Sequence, residues 1–554
     1  MKNEIEMTSS KKRFFSAFPG LAPFFCFFVV FLILLLPIQL RGASDDTAHI
    51  DSIMNMGIPA WIKMRAATWQ PRFASDFAFA VLLFRLPLWK FLNAAVMSVL
   101  LWIITRTASY GACHRDGSSG TVTNKTERLS TVPEEPSLWH ARFATLAVFV
   151  CLFFFLIHPN VITSGSVWYT GSFYYLWPAA AMLLGLSPFF LALYGKRLPC
   201  PRVLTPLCFL FSLCACFIEQ TMAVQIGVSL LILLRLATKK KPLEDRQLPG
   251  RQQRHIPRAL LAQFILMLVV GAVFFYLDSV SPRVTQQAEL PLFPEFANFS
   301  AIDKLLLGMN VYTTHLLHVS NILFTILAAF AGWLAFQRIK HARFLVFLPA
   351  VWALVNALPL PWGYTKMTSE ALGGRSGALD VGVSGWMGFL YGTRPMASSP
   401  EPAAIVLSIL AVLCVLSLFF LLIKAFPGAR DRFLAVVLYL ASFLSGILIG
   451  FSPSVWASES RPNFLSNFLL LLLLAMLLRG SLCKPDSKGI GDAESDTETA
   501  TDAGLRTDPT TNPKGFSLRR SLPTKIFLTL LAVFAVYVWI LYHTTFATNT
   551  YWWY

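Results

Sequence analysis

The sequence predicts an all-α polytopic integral membrane protein with about thirteen transmembrane helices, and three observations carry that prediction. Of 554 residues, 55% are hydrophobic and only 14% charged, with a mean hydropathy of +0.59. A soluble domain cannot cover so much apolar surface, because about half of any folded surface still meets water. Residues 21–40 contain no charge, and at about 1.5 Å per residue such a stretch crosses a hydrocarbon core of roughly 30 Å. Finally, the net charge of +17 is gathered in short connections between apolar runs, as in loops kept in the cytoplasm. That placement argues against nucleic acid as the partner and for a lipid bilayer.

The first apolar run follows Lys11, Lys12 and Arg13. It is too long for a removable signal peptide and lacks a small-residue cleavage site, so it reads as a retained span with its N-terminus cytoplasmic. Twelve further runs follow, at roughly 88–105, 143–158, 172–194, 203–218, 220–236, 259–278, 310–336, 344–362, 403–423, 433–451, 464–478 and 526–545. The short apolar piece 74–87 and the tight pair within 203–236 leave the count open by one or two. Alternation puts outside loops at 41–87, 159–171, 279–309, 363–402 and 452–463. About three quarters of the 46 Lys and Arg then fall inside, a bias not used to place the spans. None of the nine cysteines falls outside, so no disulfide framework is implied. No Cys/His cluster points to zinc, and neither a Walker A pattern nor GxGxxG is present.

Residues 1–483 form the expected transmembrane core. Residues 484–525, acidic and rich in Ser and Thr, form a disordered cytoplasmic linker, and 526–554 supply the last helix and an outside tail. The Gly/Ser/Thr-rich stretch 107–140 reads as a second linker. Runs such as LLLLLLAMLL read as lipid-facing packing.

The polar residues that stand out share one side of the membrane. Asp45 and Asp46 close the first span. Trp61, Met64, Trp69 and Phe73, with Lys63, Arg65 and Arg72 between them, suit a helix in the headgroup layer. SGSVWYTGSFYYLWP supplies Trp168, Tyr175 and Trp177 between spans three and four. Glu219 stands at a hairpin turn with apolar flanks, where a carboxylate costs roughly 2.5–3.5 kcal/mol if it lies at mid-bilayer. Arg461 follows span eleven, and Lys366, Glu370, Arg375, Asp380 and Arg394 lie in the Gly-rich loop 363–402. Each has a bland alternative: aspartates that merely end a span, aromatics that anchor it, a glutamate that caps a turn. Together they suit transfer of a sugar from a polyprenyl phosphate. A carboxylate would take the acceptor proton, guanidinium groups would steady the departing phosphate, and aromatic faces would stack on sugar rings. An ion-coupled transporter also needs buried acids, so these residues alone do not decide.

At these residues the chain resembles the GT-C superfamily of membrane glycosyltransferases, whose members carry an acidic motif just after the first span. Ser44-Asp45-Asp46 matches that placement. Within the superfamily it more closely resembles a bacterial multispan family called domain of unknown function 6056. The matching pieces are Trp69-x-x-Arg72, the block Gly171, Ser172, Tyr175, Leu176 and Trp177, the pair Glu219-Gln220, and Ser452-Pro453 with Arg461. The family block favours Asn where Tyr174 stands. The resemblance implies a GT-C-like helical bundle in a bacterial cytoplasmic membrane with an extended first outside loop. Its donor would be a polyprenyl-phosphate-linked sugar and its acceptor a glycan or lipid of the cell envelope. Asp45 would be the base of an inverting displacement, with Asp46 orienting it or holding a metal. A divalent cation is needed by some relatives that use lipid diphosphates and not by many monophosphate users, so no cofactor is assigned.

Weaker signals are His49, one turn after Asp45; His315 and His318, on one helix face; and Arg85, either snorkelling to headgroups or contacting the donor phosphate. Two alternatives stand beside the transferase. A polysaccharide polymerase or ligase would need an arginine-bearing outside loop late in the chain, which 363–400 partly supplies. A transporter or flippase would show broken helices near mid-membrane and paired repeats.

Overall fold

A computed structural model describes residues 20–40, 45–111, 136–196, 198, 200–238, 257–281, 294–316, 321–339, 348–349, 402–455, 458 and 461–482. Among these, all regular structure is helical, with no strand. The expected spans 344–362 and 526–545, the acidic linker and the loop with Arg375 lie outside the described residues, apart from 348–349 and 402.

α1 (Ala22–Leu35) is the first apolar helix. The extended loop after it folds into α2 (Asp45–Met56), α3 (Ile58–Thr68) and α4 (Phe73–Leu82). α5 (Leu86–Ser109) and α6 (Pro136–Phe154) come next, both reaching into the stretch expected to be a linker. Then follow α7 (Pro159–Val167) and α8 (Tyr169–Leu193). α9 (Pro201–Ala215) and α10 (Glu219–Ala237) make the tight hairpin as two separate helices. α11 (Arg258–Ser279), α12 (Ala301–Leu316) and α13 (Ile322–Phe336) lead to α14 (Pro402–Ala425), α15 (Ala429–Phe451) and α16 (Arg461–Leu482).

By length and composition, six of these helices can cross a membrane: α5, α8, α10, α11, α15 and α16. Seven do if the bent pair α6–α7 counts as one span. Helices of 10–17 apolar residues account for α1, α4, α9, α13 and the described end of α14. The figure of thirteen is therefore not reached among the described residues.

The sequence reading is corrected at four places. Residues 310–336, expected as one span, hold two helices, α12 and α13, with Asn321 non-helical before the second. Residues 159–167, within the stretch 159–171 expected as a loop, are helical and bend by 98° from α6. Local chemistry explains the turn: a residue before proline avoids helical dihedrals, and His158 before Pro159 is extended, capping α7 by accepting from the Asn160 N–H at 3.1 Å. Helical hydrogen bonding then satisfies the backbone where water is scarce. Trp61, expected among headgroups, is fully buried. LLLLLLAMLL is not lipid-facing: Leu469 to Leu478 are all buried, because a helix apolar all round belongs in the middle of a large bundle. α16 and α8 are that middle. α11 instead exposes Leu261, Ile265, Val269 and Val273, an apolar surface suited to lipid.

The two ends of the bundle are chemically distinct. At one end lie α2–α4 and the starts of α5, α8, α10 and α16. At the other, where α5, α8 and α16 finish and α15 starts, Arg479 pairs with Asp431 at 2.5 Å and donates to the Ala108 carbonyl at 2.7 Å. Tyr194 donates to the same carboxylate at 2.5 Å.

Candidate functional site

Segment 163–176 is where the pieces at the α2–α4 end meet. Its small and hydroxylated residues pack as two π-helical stretches, Thr163–Val167 and Ser172–Leu176, around an extended Trp168. π-turns of this kind are rare and concentrate at functional sites. Two glycines permit the packing. A Cβ on Gly165 would run into the Phe464 ring, and one on Gly171 into the Ser164 carbonyl.

From this segment side chains reach in every direction. Thr170 donates its N–H, at 3.2 Å, and its hydroxyl to Asp46 Oδ1. Asp46 is fully buried, while Asp45, beside it in the first turn of α2, is exposed. The positive end of the helix favours both carboxylates. Tyr169 donates to the Phe79 carbonyl at 2.9 Å. Tyr174 donates to Asp76 Oδ1 at 2.7 Å and accepts from Arg65 Nη2 at 3.3 Å, and its ring lies 4.9 Å beneath the Arg72 guanidinium. Trp168 lies 4.9 Å beneath the guanidinium of Arg461, whose Nε donates to the Ser458 carbonyl at 2.9 Å.

Glu219 closes the circle. In the first turn of α10, it accepts from Gln70 Nε2 and pairs with Arg72 at 3.5 Å. Its neighbour Gln220 donates to the Ser445 carbonyl at 2.9 Å and the Pro462 carbonyl at 2.6 Å, tying the α10 start to the Arg461 turn. Asp46, Arg72, Trp168, Glu219 and Arg461 are thus joined through a few shared partners, although they span more than four hundred positions of sequence.

Other expected residues sit apart. Trp177 directs its indole N–H to Asn93 Oδ1 at 3.1 Å and packs 4.9 Å from Phe173, inside the bundle. Tyr175 is half-buried against the core. Trp69 is half-buried and lies 5.9 Å beneath Arg65. Arg85 is exposed before α5. Arg375 and His318 are outside the described residues, and His315 belongs to a different cluster.

His49 packs edge-on against Trp61 and Phe79, at 5.4 and 5.3 Å. Burial, helped by the Arg65 charge and opposed by Asp45, lowers its pKa to about 4. It is neutral at physiological pH and holds α2 against α3 and α4.

Three residues of the cluster escaped the sequence reading of the site. Asp76 looked like one polar residue in a short apolar piece, Arg65 like a headgroup contact, and Tyr174 like a departure from the family block. The ion pair of Arg65 and Asp76, 3.9 Å, is bridged by the tyrosine hydroxyl. Burial raises the Asp76 pKa, against the pull of Arg65, the Tyr174 hydrogen bond and Arg72. Residue spacing could not have revealed this, because the partners are about a hundred positions apart.

Among the described residues no group of three or more His, Cys, Asp or Glu could hold a metal ion. In the comparisons with known proteins, no family model matches the chain, nor does any curated protein or solved structure.

Proposed function

We propose that the chain is a membrane glycosyltransferase of GT-C type, acting at the outer face of a bacterial cytoplasmic membrane with thirteen crossings in all. Its donor is a sugar on a polyprenyl phosphate, and its acceptor a glycan or lipid of the cell envelope. One observation carries the reading: Thr170 holds Asp46 buried while Asp45, next to it in the first turn of α2, stays exposed. Asp45 is then the base. It takes the proton of the acceptor hydroxyl as that oxygen bonds to the anomeric carbon, and the bond from that carbon to the lipid phosphate breaks, inverting the centre. The phosphate leaves with the electron pair, and Arg461 and Arg72 are the guanidinium groups available to steady its charge. Asp46 is a positioning residue that fixes the start of α2. No metal is required by these steps.

The test is transfer of radiolabelled sugar from polyprenyl phosphate in membranes. Asp45→Asn keeps the shape and removes the basic lone pair, so transfer should fall by about 10²–10⁴-fold while the protein still folds. Full transfer by Asp45→Asn would remove the acid from the mechanism.

A transporter is the second reading, favoured by one observation. The bent pair α6–α7 meets the start of α13 inside the bundle, where the Leu323 N–H donates to the Leu156 carbonyl at 3.0 Å. Broken helices that line a buried site are a common feature of secondary transporters.

A further inference from the structure

The end of α14 is held by two arginines from its neighbours. The last carbonyls of a helix have no partner within it and carry its negative pole. Arg338, two residues past α13, donates through Nη1 to the Lys424 carbonyl at 2.9 Å and the Ala425 carbonyl at 2.6 Å. Arg432, near the start of α15, donates through Nε and Nη2 to the Phe426 carbonyl, at 3.3 Å each. Its Nη2 also reaches the Pro427 carbonyl at 3.4 Å. Four consecutive carbonyls thus bring two guanidinium groups side by side. Burial lowers the Arg338 pKa, and the charge of Arg432 lowers it further, although an arginine stays protonated.

Lys424 adds a third cation from the last turn of α14. Arg338, Lys424 and Arg432 are all exposed, and among the described residues no acidic side chain pairs with any of them. Asp431, next to Arg432, is taken by Arg479 and Tyr194. Three positive groups at one helix end repel one another, and an anion would relieve them.

The outer face of the same helix indicates which kind of anion. Leu413, Leu416 and Phe420 are exposed at spacings of three and four, the repeat of one helix face. Lys424 follows four residues on, about one turn or 5.4 Å along the axis. Trp333 is exposed on α13, five residues before Arg338, and tryptophan favours the boundary between lipid and water. An apolar face suited to hydrocarbon therefore runs out at the cations, the depth of lipid headgroups. A soluble anion would use the cations alone, whereas a phospholipid uses the cations and the apolar face together.

We propose that Arg338, Lys424 and Arg432 bind an anionic phospholipid, its phosphate at the end of α14 and its chains along Leu413, Leu416 and Phe420. Guanidinium forks suit phosphate oxygens, and basic groups at a membrane surface attract anionic lipids. The site lies at the Arg479–Asp431 end of the bundle and is independent of the glycosyltransfer reading. A lipid bound there ties α14 to both α13 and α15.

The experiment is thermal unfolding of the full chain in dodecyl maltoside micelles doped with increasing phosphatidylglycerol. Phosphatidylcholine with the same chains, and free glycerol phosphate, serve as comparisons. The wild type should gain stability in a saturable way with phosphatidylglycerol and with neither of the others. Lys424→Gln should melt like the wild type without lipid, because its side chain caps nothing. It should need about fivefold more phosphatidylglycerol to reach the midpoint, equivalent to about 1 kcal/mol for one basic group. Lys424→Glu should need more still. Arg202→Gln removes an exposed cation at the start of α9 and should leave the midpoint in place. No response to phosphatidylglycerol, or an equal one to phosphatidylcholine or glycerol phosphate, overturns the proposal. An unchanged midpoint in Lys424→Gln, or the same shift in Arg202→Gln, overturns it equally, since the attraction would then be diffuse.

Discussion

Thr170 and Asp46, 124 positions apart, are locked together: the threonine N–H and hydroxyl both point at one carboxylate oxygen. Two neighbouring aspartates thereby acquire different physical roles, Asp46 buried and hydrogen-bonded, Asp45 exposed. Thr170→Val keeps the shape and removes the hydroxyl donor. It should destabilise the protein by about 1–3 kcal/mol, the cost of a buried group left short of a partner. Asp45→Asn should leave thermal unfolding nearly unchanged. Equal melting losses in the two variants would contradict the division of roles.

The tyrosine that bridges Arg65 and Asp76 is expected to matter. Tyr174→Phe removes the hydroxyl between Arg65 and Asp76 and should cost about 1–3 kcal/mol in thermal unfolding. Tyr174→Asn should cost more, because it also removes the aromatic face beneath Arg72. An asparagine variant as stable as the wild type would show that the hydroxyl and ring are incidental.

The ion pairs at the two ends of the bundle should differ in strength. Arg72–Glu219 is long, at 3.5 Å, with side chains 21% and 32% exposed, whereas Arg479–Asp431 is 2.5 Å with 7% and 15%. A double-mutant cycle on the first should give about 0.2–1 kcal/mol. Asp431→Asn should cost more, about 3–5 kcal/mol, by leaving Arg479 buried beside a neutral partner. The opposite ranking would show that local exposure does not govern these pairs.

Acid should act on α2–α4 through His49. Its folded pKa, about 4, lies below the ordinary 6.5, so the fold favours the neutral ring. The resulting stability is full above pH 6.5 and is lost as pH falls toward 4. Asp76 has the opposite sign: with its pKa raised by burial, its contribution favours folding at low pH and declines as pH rises through the carboxylate range. His49→Phe keeps ring contacts with Trp61 and Phe79, so melting measured from pH 7 to 4 should flatten. A variant as acid-sensitive as the wild type would exclude His49 as the cause.

Sidedness can be read by labelling. In a cysteine-free background, Asp51→Cys on exposed α2 should react with an impermeant thiol reagent added outside, and Arg202→Cys, at the start of α9, should not. The reverse pattern would invert the membrane orientation and place the acidic pair in the cytoplasm.

Apolar run length and the placement of Lys and Arg were enough to identify a helical membrane protein and to bring Asp46, Glu219 and Arg461 to one end of it. Composition and spacing along the chain carry that much, because a bilayer accepts only helices or closed barrels and sorts positive loops by side. Which face of an apolar helix meets lipid was not legible: LLLLLLAMLL reads the same at the periphery or in the middle, and only packing put it in the middle. The bend at 155–158, the non-helical Asn321 and the Arg65–Tyr174–Asp76 bridge likewise belong to the tertiary structure alone. They depend on which segments lie side by side, and a polar group in an apolar interior is stable only where the fold brings it a partner.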